Sequence, residues 1–156
     1  MSFAESLAKS LEGATKAVIV GIGNELNGDD GFGVAVAREL GNTRRAVSIQ
    51  VHTVPENFIS KIAGEEPSHV IFVDAAVLDA KPGTLRLLEP KDLAMIATVT
   101  HRIPLSRIIG RLNELHKCKV LVIGLQPKNM EIGSGLSDEV QSEVIYLTNL
   151  LKINLV

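Results

Sequence analysis

The chain has 156 residues, 46% of them hydrophobic and 22% charged, and a net charge of −2. That fits one soluble domain with a core of its own, and the lack of a basic stripe excludes a polyanion-binding surface. Aromatic residues make up 3% and tryptophan is absent, which also excludes a base-stacking platform for single-stranded nucleic acid.

The start, "MSFAESLAKSLEGATK", carries acidic residues and no long apolar core, so it does not read as a secretory signal. Residues 2–12 read as an amphipathic helix: Ser2 and Glu5 have capping-box spacing, and Phe3, Leu7 and Leu11 recur every four residues. "AVIVGI" (17–22) reads as a buried strand closed by glycine. A helix is expected over 31–40, stopped by Gly41-Asn42. "AVSIQVHTV" (46–54) is a second strand, "ENFISKIAG" (56–64) a short helix, and "HVIFVDAAV" (69–77) a third strand. After the Pro82-Gly83 turn, "TLRLLE" (84–89) reads as a peripheral fourth strand. For 90–103 the expectation is a short helical turn, then a loop. Pro104 then opens a helix running to about Lys117. "KVLVIGL" (119–125) is a fifth strand, and Ser137, Asp138 and Glu139 start a final helix with Val140, Val144, Leu147 and Leu151 facing inward.

Strands alternating with helices predict an α/β fold: a single domain over 1–156, with a twisted, mostly parallel five-stranded sheet and helices on both faces. The helix at 2–12 reads as a possible N-terminal extension of that domain. No apolar run approaches the roughly 18 residues needed to span a bilayer, so the cytoplasm is the expected location. In such sheets ligands bind outside the carboxyl ends of the strands. Attention therefore falls on the segments after "VIVGIG", "VIFVD" and "VLVIGL".

The first of these, "GIGNELNGDDGFG" (21–33), looks like a phosphate loop and fails as one. Gly21 and Gly23 begin a dinucleotide fingerprint, but position 26 is Leu26. Gly23 and Gly28 have P-loop spacing, but Asp29-Asp30 replaces the expected Lys-Ser/Thr. Two carboxylates at a helix start resist a further anion and suit a cation. Helix capping accounts for one of them, at about 1 kcal/mol; the second is less well explained.

Asp74 is the next unusual residue, since aspartate is depleted in strands and a buried carboxylate needs a partner. Pairing with one of the 16 Lys and Arg residues would satisfy it. Alternatively, Asp74 and Asp30 converge at the sheet's switch point. Two carboxylates about 5 Å apart would repel by about 3 kcal/mol at an effective dielectric near 20, and a cation between them would turn repulsion into attraction. Such a metal also wants a nitrogen ligand. Among His52, His69, His101 and His116, the best placed is His101, in the irregular "ATVTHRIP" segment before the Pro-started helix.

Four segments, "GIGNELNGDDGFG" (21–33), "VIFVDA" (70–75), "THRIPL" (100–105) and "GLQPKNMEIGSGLS" (124–137), together resemble the endopeptidases that mature the large subunit of nickel-iron hydrogenases. They occur in that family's order and cover nearly the whole chain. The resemblance implies a compact α/β fold and places the metal-contacting positions on Asp30, Asp74 and His101. It also implies removal of a C-terminal tail from a large-subunit precursor once nickel has been inserted.

On this reading Asp30 and Asp74 are the catalytic candidates. Asn24, Glu25 and the 126–135 loop are candidates for substrate contact, from their places near strand ends. The nickel would be supplied by the precursor rather than held permanently. The expected partner is that precursor, met by a monomer, with neither nucleic acid nor membrane involved. Other protease chemistries lack their motifs: there is no HExxH, no GxSxG and no Asp-Thr-Gly or Asp-Ser-Gly. The sole cysteine, Cys118, can form no internal disulfide, and it is poorly placed to pair with His116. Two other readings remain open from the residues alone. One is a non-enzymatic nickel-binding or assembly factor with the same triad; the other is a small-molecule hydrolase or nucleotide-binding domain of similar architecture.

Overall fold

The β-branched run at Ala17–Ile22 forms β1, which is buried along its whole length in the computed structural model. The structure describes residues 1–89, 91, 93 and 104–155. The expectation for 90–103 falls largely outside them, and so does His101.

Among the described residues there are five strands: β1, β2 (Ala46–His52), β3 (His69–Ala75), β4 (Leu85–Leu88) and β5 (Lys119–Leu125). Their order in the sheet is β2-β1-β3-β5-β4. The first four in that order are mutually parallel, and β4 lies antiparallel on β5 at one edge. From β1 the chain steps to β2 on one side, then crosses back to β3 on the other. The switch point therefore lies between β1 and β3, and both strands end at the same edge.

Among the described residues five α-helices cover the sheet: α1 (Phe3–Ser10), α2 (Phe32–Leu40), α3 (Ile59–Gly64), α4 (Leu105–Leu115) and α5 (Asp138–Asn154). Strand alternation sorts the core into two layers. Ile19, Ile71, Val73, Leu121 and Ile123 pack with Phe32 and Val36 of α2, Val140, Val144, Leu147 and Leu151 of α5, and Leu7 of α1. Val18, Val20, Phe72 and Val122 pack on the opposite face with Ile62 of α3 and Leu105, Ile108 and Leu112 of α4.

Several boundaries differ from the expected ones for physical reasons. β2 stops at His52, whose φ of 53° turns the backbone out of the ladder. β3 ends at Ala75. The helix expected over 56–64 divides into a 3-10 turn at Pro55–Phe58 and α3 proper. Likewise a 3-10 turn at Gly28–Gly31 precedes α2, and it holds both aspartates. α1 is capped as expected, with Ser2 Oγ accepting the Glu5 N–H at 3.1 Å.

Candidate active site

Three glycines bring the first acidic loop against the strand ends. Gly23 has φ 142°, and a Cβ there would lie 1.8 Å from the Asp30 carbonyl oxygen. A Cβ on Gly33 would lie 2.1 Å from the Val73 carbonyl oxygen and 2.5 Å from that of Ile22. A Cβ on Gly21 would meet the Gly33 carbonyl oxygen at 2.3 Å. Only hydrogen at these positions lets the first turn of α2 sit on the ends of β1 and β3.

The Gly28–Gly31 turn consequently packs against β3, the strand that carries Asp74. Asp30 is fully buried, and its Oδ2 accepts the Asn24 N–H at 2.9 Å. Asp74 is 1% exposed and lies in register with Gly124 of β5, which places no side chain beside it on that strand. By alternation it falls on the layer that contains Phe72 and α4. Two buried carboxylates thus occupy the carboxyl ends flanking the switch point. Among the described residues no three His, Cys, Asp or Glu side chains gather as a metal-binding group; the expected third donor, His101, lies outside them.

Asp29 corrects the capping interpretation of the acidic pair. α2 has Gly31 at its N-cap and no side-chain cap. Asp29 turns instead to the segment between β5 and α5. Its Oδ2 accepts the N–H groups of Lys128 and Asn129, both at 2.9 Å, and its Oδ1 accepts the Ser137 N–H at 2.7 Å. The Ser137 hydroxyl also donates to Oδ2, at 2.9 Å, so the expected N-cap of α5 gives its side chain to Asp29 and none to its own helix. Burial alone would raise the Asp29 carboxyl. The Ser137, Asn129 and Lys128 backbone donors, with the Ser137 hydroxyl, outweigh it and hold the group below the ordinary carboxylate value.

The two expected substrate contacts have structural partners. The Asn24 Oδ1 accepts the Leu26 N–H at 3.0 Å, bending the loop, while its own N–H holds Asp30. Glu25 is exposed and ion-paired with Arg38 of α2, which also donates to Gln50 at 3.3 Å. The hydrogen bond from Arg38 lowers the Glu25 carboxyl. Glu25 and Arg38, with Gly28, Gly31, Ala35, Gly135 and Leu136, line a small pocket of about 200 Å³ beside the acidic turn; Asn24 is not among its lining residues.

The remaining histidines and the cysteine stand apart. His52 is exposed at the end of edge strand β2, and His69 lies at the opposite end of β3 from Asp74. His116 Nε2 lies 2.7 Å from the Pro67 carbonyl oxygen, its hydrogen-bond partner. The Cys118 thiol is half-buried, and that burial raises its pKa.

Fold and site together define an α/β protein with a buried acidic pair at the switch point of a mostly parallel sheet. The model of the HycI hydrogenase maturation protease family matches residues 34–151, starting just past the glycine-rich loop. The crystal structure of a nickel-iron hydrogenase maturation protease, HycI from Thermococcus kodakarensis, superimposes with a TM-score of 0.88 at 31% identity, over 96% of this chain and 98% of that one. Hydrogenase 3 maturation protease of Escherichia coli is 34% identical over 113 residues, 70% of this chain and 72% of its own. The solution structure of the endopeptidase HycI from Escherichia coli superimposes with a TM-score of 0.76 at 27% identity, over 86% of this chain and 87% of that one.

The chain belongs to the hydrogenase maturation protease family, whose members are endopeptidases that act in hydrogenase maturation. Among the described residues no helix is long and apolar enough to cross a membrane.

Proposed function

We propose that this endopeptidase removes the C-terminal tail of a nickel-iron hydrogenase large-subunit precursor, and that it reads the nickel carried by that precursor through Asp30, Asp74 and His101. The observation that carries this reading is the pair of buried carboxylates at neighbouring strand ends, on a turn and a strand that touch. Two carboxylates and an imidazole make a donor set suited to a divalent transition metal, and they leave coordination positions for ligands from the substrate. The set is harder than a thiolate site, so it reads metal held by precursor cysteines and does not strip it away.

The nickel is then part of the substrate. It supplies polarisation of the scissile carbonyl where the precursor presents it. The chain's own residues do the rest. Asn24 holds one oxygen of Asp30 in place. Asp30 and Asp74 are the groups available as a base toward water. His101, three residues before Pro104 in sequence, supplies the nitrogen donor.

Asp30→Asn tests the assignment at one atom. The amide oxygen still accepts the Asn24 N–H, so the thermal midpoint should stay near that of the wild type. Processing of the nickel-loaded precursor, read by intact mass, should fall below detection. Full processing by this variant would remove Asp30 from the mechanism.

A further inference from the structure

Asp29 takes no part in the chemistry proposed above, yet it is fully buried and receives four hydrogen bonds from one distant segment. Three further contacts join the same two loops. The Asp29 N–H donates to the Asn129 carbonyl at 2.8 Å, and the Gly133 N–H donates to the Leu26 carbonyl at 2.9 Å. Gly28 has φ 57°, and a Cβ there would lie 2.4 Å from the Asn129 carbonyl oxygen. Residues 24–31 and 126–137 are therefore a single welded unit, although neither contains a strand or an α-helix.

That unit displays two large apolar side chains. Leu26 is 70% exposed and Ile132 is 86% exposed. The Gly133–Leu26 hydrogen bond sets the two loops side by side at these tips. Val54 and Val77, also exposed, follow β2 and β3. Each of the four parallel strands thus ends in a loop that carries an uncovered apolar residue, all at the edge that holds Asp30 and Asp74. Single exposed apolar residues are ordinary; here Leu26 and Ile132 are the most exposed of the four and are joined by the hydrogen bond between their loops. An endopeptidase acting on a folded protein partner needs contact area beyond the scissile segment, and that partner must approach over this edge.

We propose that Asp29 is a positioning residue for the reaction: by welding 126–137 to 24–31 it presents Leu26 and Ile132 as a preordered apolar contact for the hydrogenase precursor. This rests on the function proposed above in one respect, that the precursor approaches the edge carrying Asp30 and Asp74. Holding the tips rigid lowers the ordering cost of binding. The contribution belongs to precursor recognition and leaves the chemical step alone, so it is separable in kinetics.

The test uses the full chain and a nickel-loaded cognate precursor. It measures precursor affinity by interferometry and tail release by intact mass. The Leu26→Ser/Ile132→Ser double variant changes only exposed positions. It should raise KM and the precursor Kd by about tenfold while kcat stays within about twofold. Asp29→Asn should show the same signature, and adding it to the double variant should cost little more, because loosened tips have little left to lose. Should Asp29→Asn not fold, Ser137→Ala replaces it in the cycle; it deletes only the hydroxyl donor and should give the same KM signature at smaller size. An unchanged KM in the double variant would overturn the proposal, as would an Asp29→Asn effect confined to kcat or fully additive with the apolar pair. A wild-type chain that neither binds nor cleaves the precursor would overturn the proposed function itself. Cleavage indifferent to Leu26 and Ile132 would overturn only this proposal.

Discussion

Gly33 shows how tightly single positions set the site. The nearest atoms to a Cβ built there are backbone carbonyls of β1 and β3, so no side chain can swing away to make room. Gly33→Ala should therefore destabilise the protein by about 3 kcal/mol, read as a shift of the urea midpoint; an unmoved midpoint would contradict the close approach. His69 supplies a second prediction, at the far end of β3. Burial, with the Lys119 cation nearby, pushes its imidazole below the ordinary value of 6.5. In the unfolded chain it therefore protonates first as pH falls. The stability linked to neutral His69 is fully present above about pH 6.5 and is lost as pH drops from there toward the lower folded value. The stability gap between wild type and His69→Gln should narrow over that window, and a gap that widens on acidification would refute the shift. Asp30 and Asp74 were legible as unusual residues because each breaks a local rule: a reversed P-loop charge and an aspartate in a buried strand. Asp29 was not legible as a clamp. Its donors lie 99, 100 and 108 residues downstream, and nothing local in sequence announces a bond of that span.

Among the elements, α1 is the one whose place the sequence left open. Its period-four apolar positions showed a helix but not what it packs on. In the structure Leu7 is fully buried in the layer shared with α2 and α5, and the helix also meets edge strand β4. Leu7→Ala should then cost about 3 kcal/mol, the range for a buried leucine. A loss near zero would show α1 to be a detachable appendage. β4 is the peripheral strand that its short run implies, and only Leu88 of its four residues is buried. The glycines and aspartates at 28–31 form a 3-10 turn, because the backbone must tighten to pass over the ends of β1 and β3 before α2 can begin. Pro104 sits at the N-cap of α4, one position before the helix it was expected to open.

For the whole molecule, the alternation of apolar runs with period-3.6 segments carried the architecture into the sequence. Continuous burial of β1 and β3 marks central parallel strands, and the partial burial of β2 marks an edge. Strand order was not readable in that way, because it depends on which side of β1 each crossover returns. The order fixes the consequence that matters: one switch point, with Asp30 and Asp74 on its two sides. That placement supports the central proposal, that cleavage is licensed by nickel in the precursor. The most direct measurement is the intact mass of a cognate large-subunit precursor after incubation with the purified protein, in nickel-loaded and nickel-free forms side by side. A C-terminal peptide should be lost from the nickel-loaded form alone. Equal cleavage of both forms would contradict the proposal, since Asp30, Asp74 and His101 would then be reading something other than the metal.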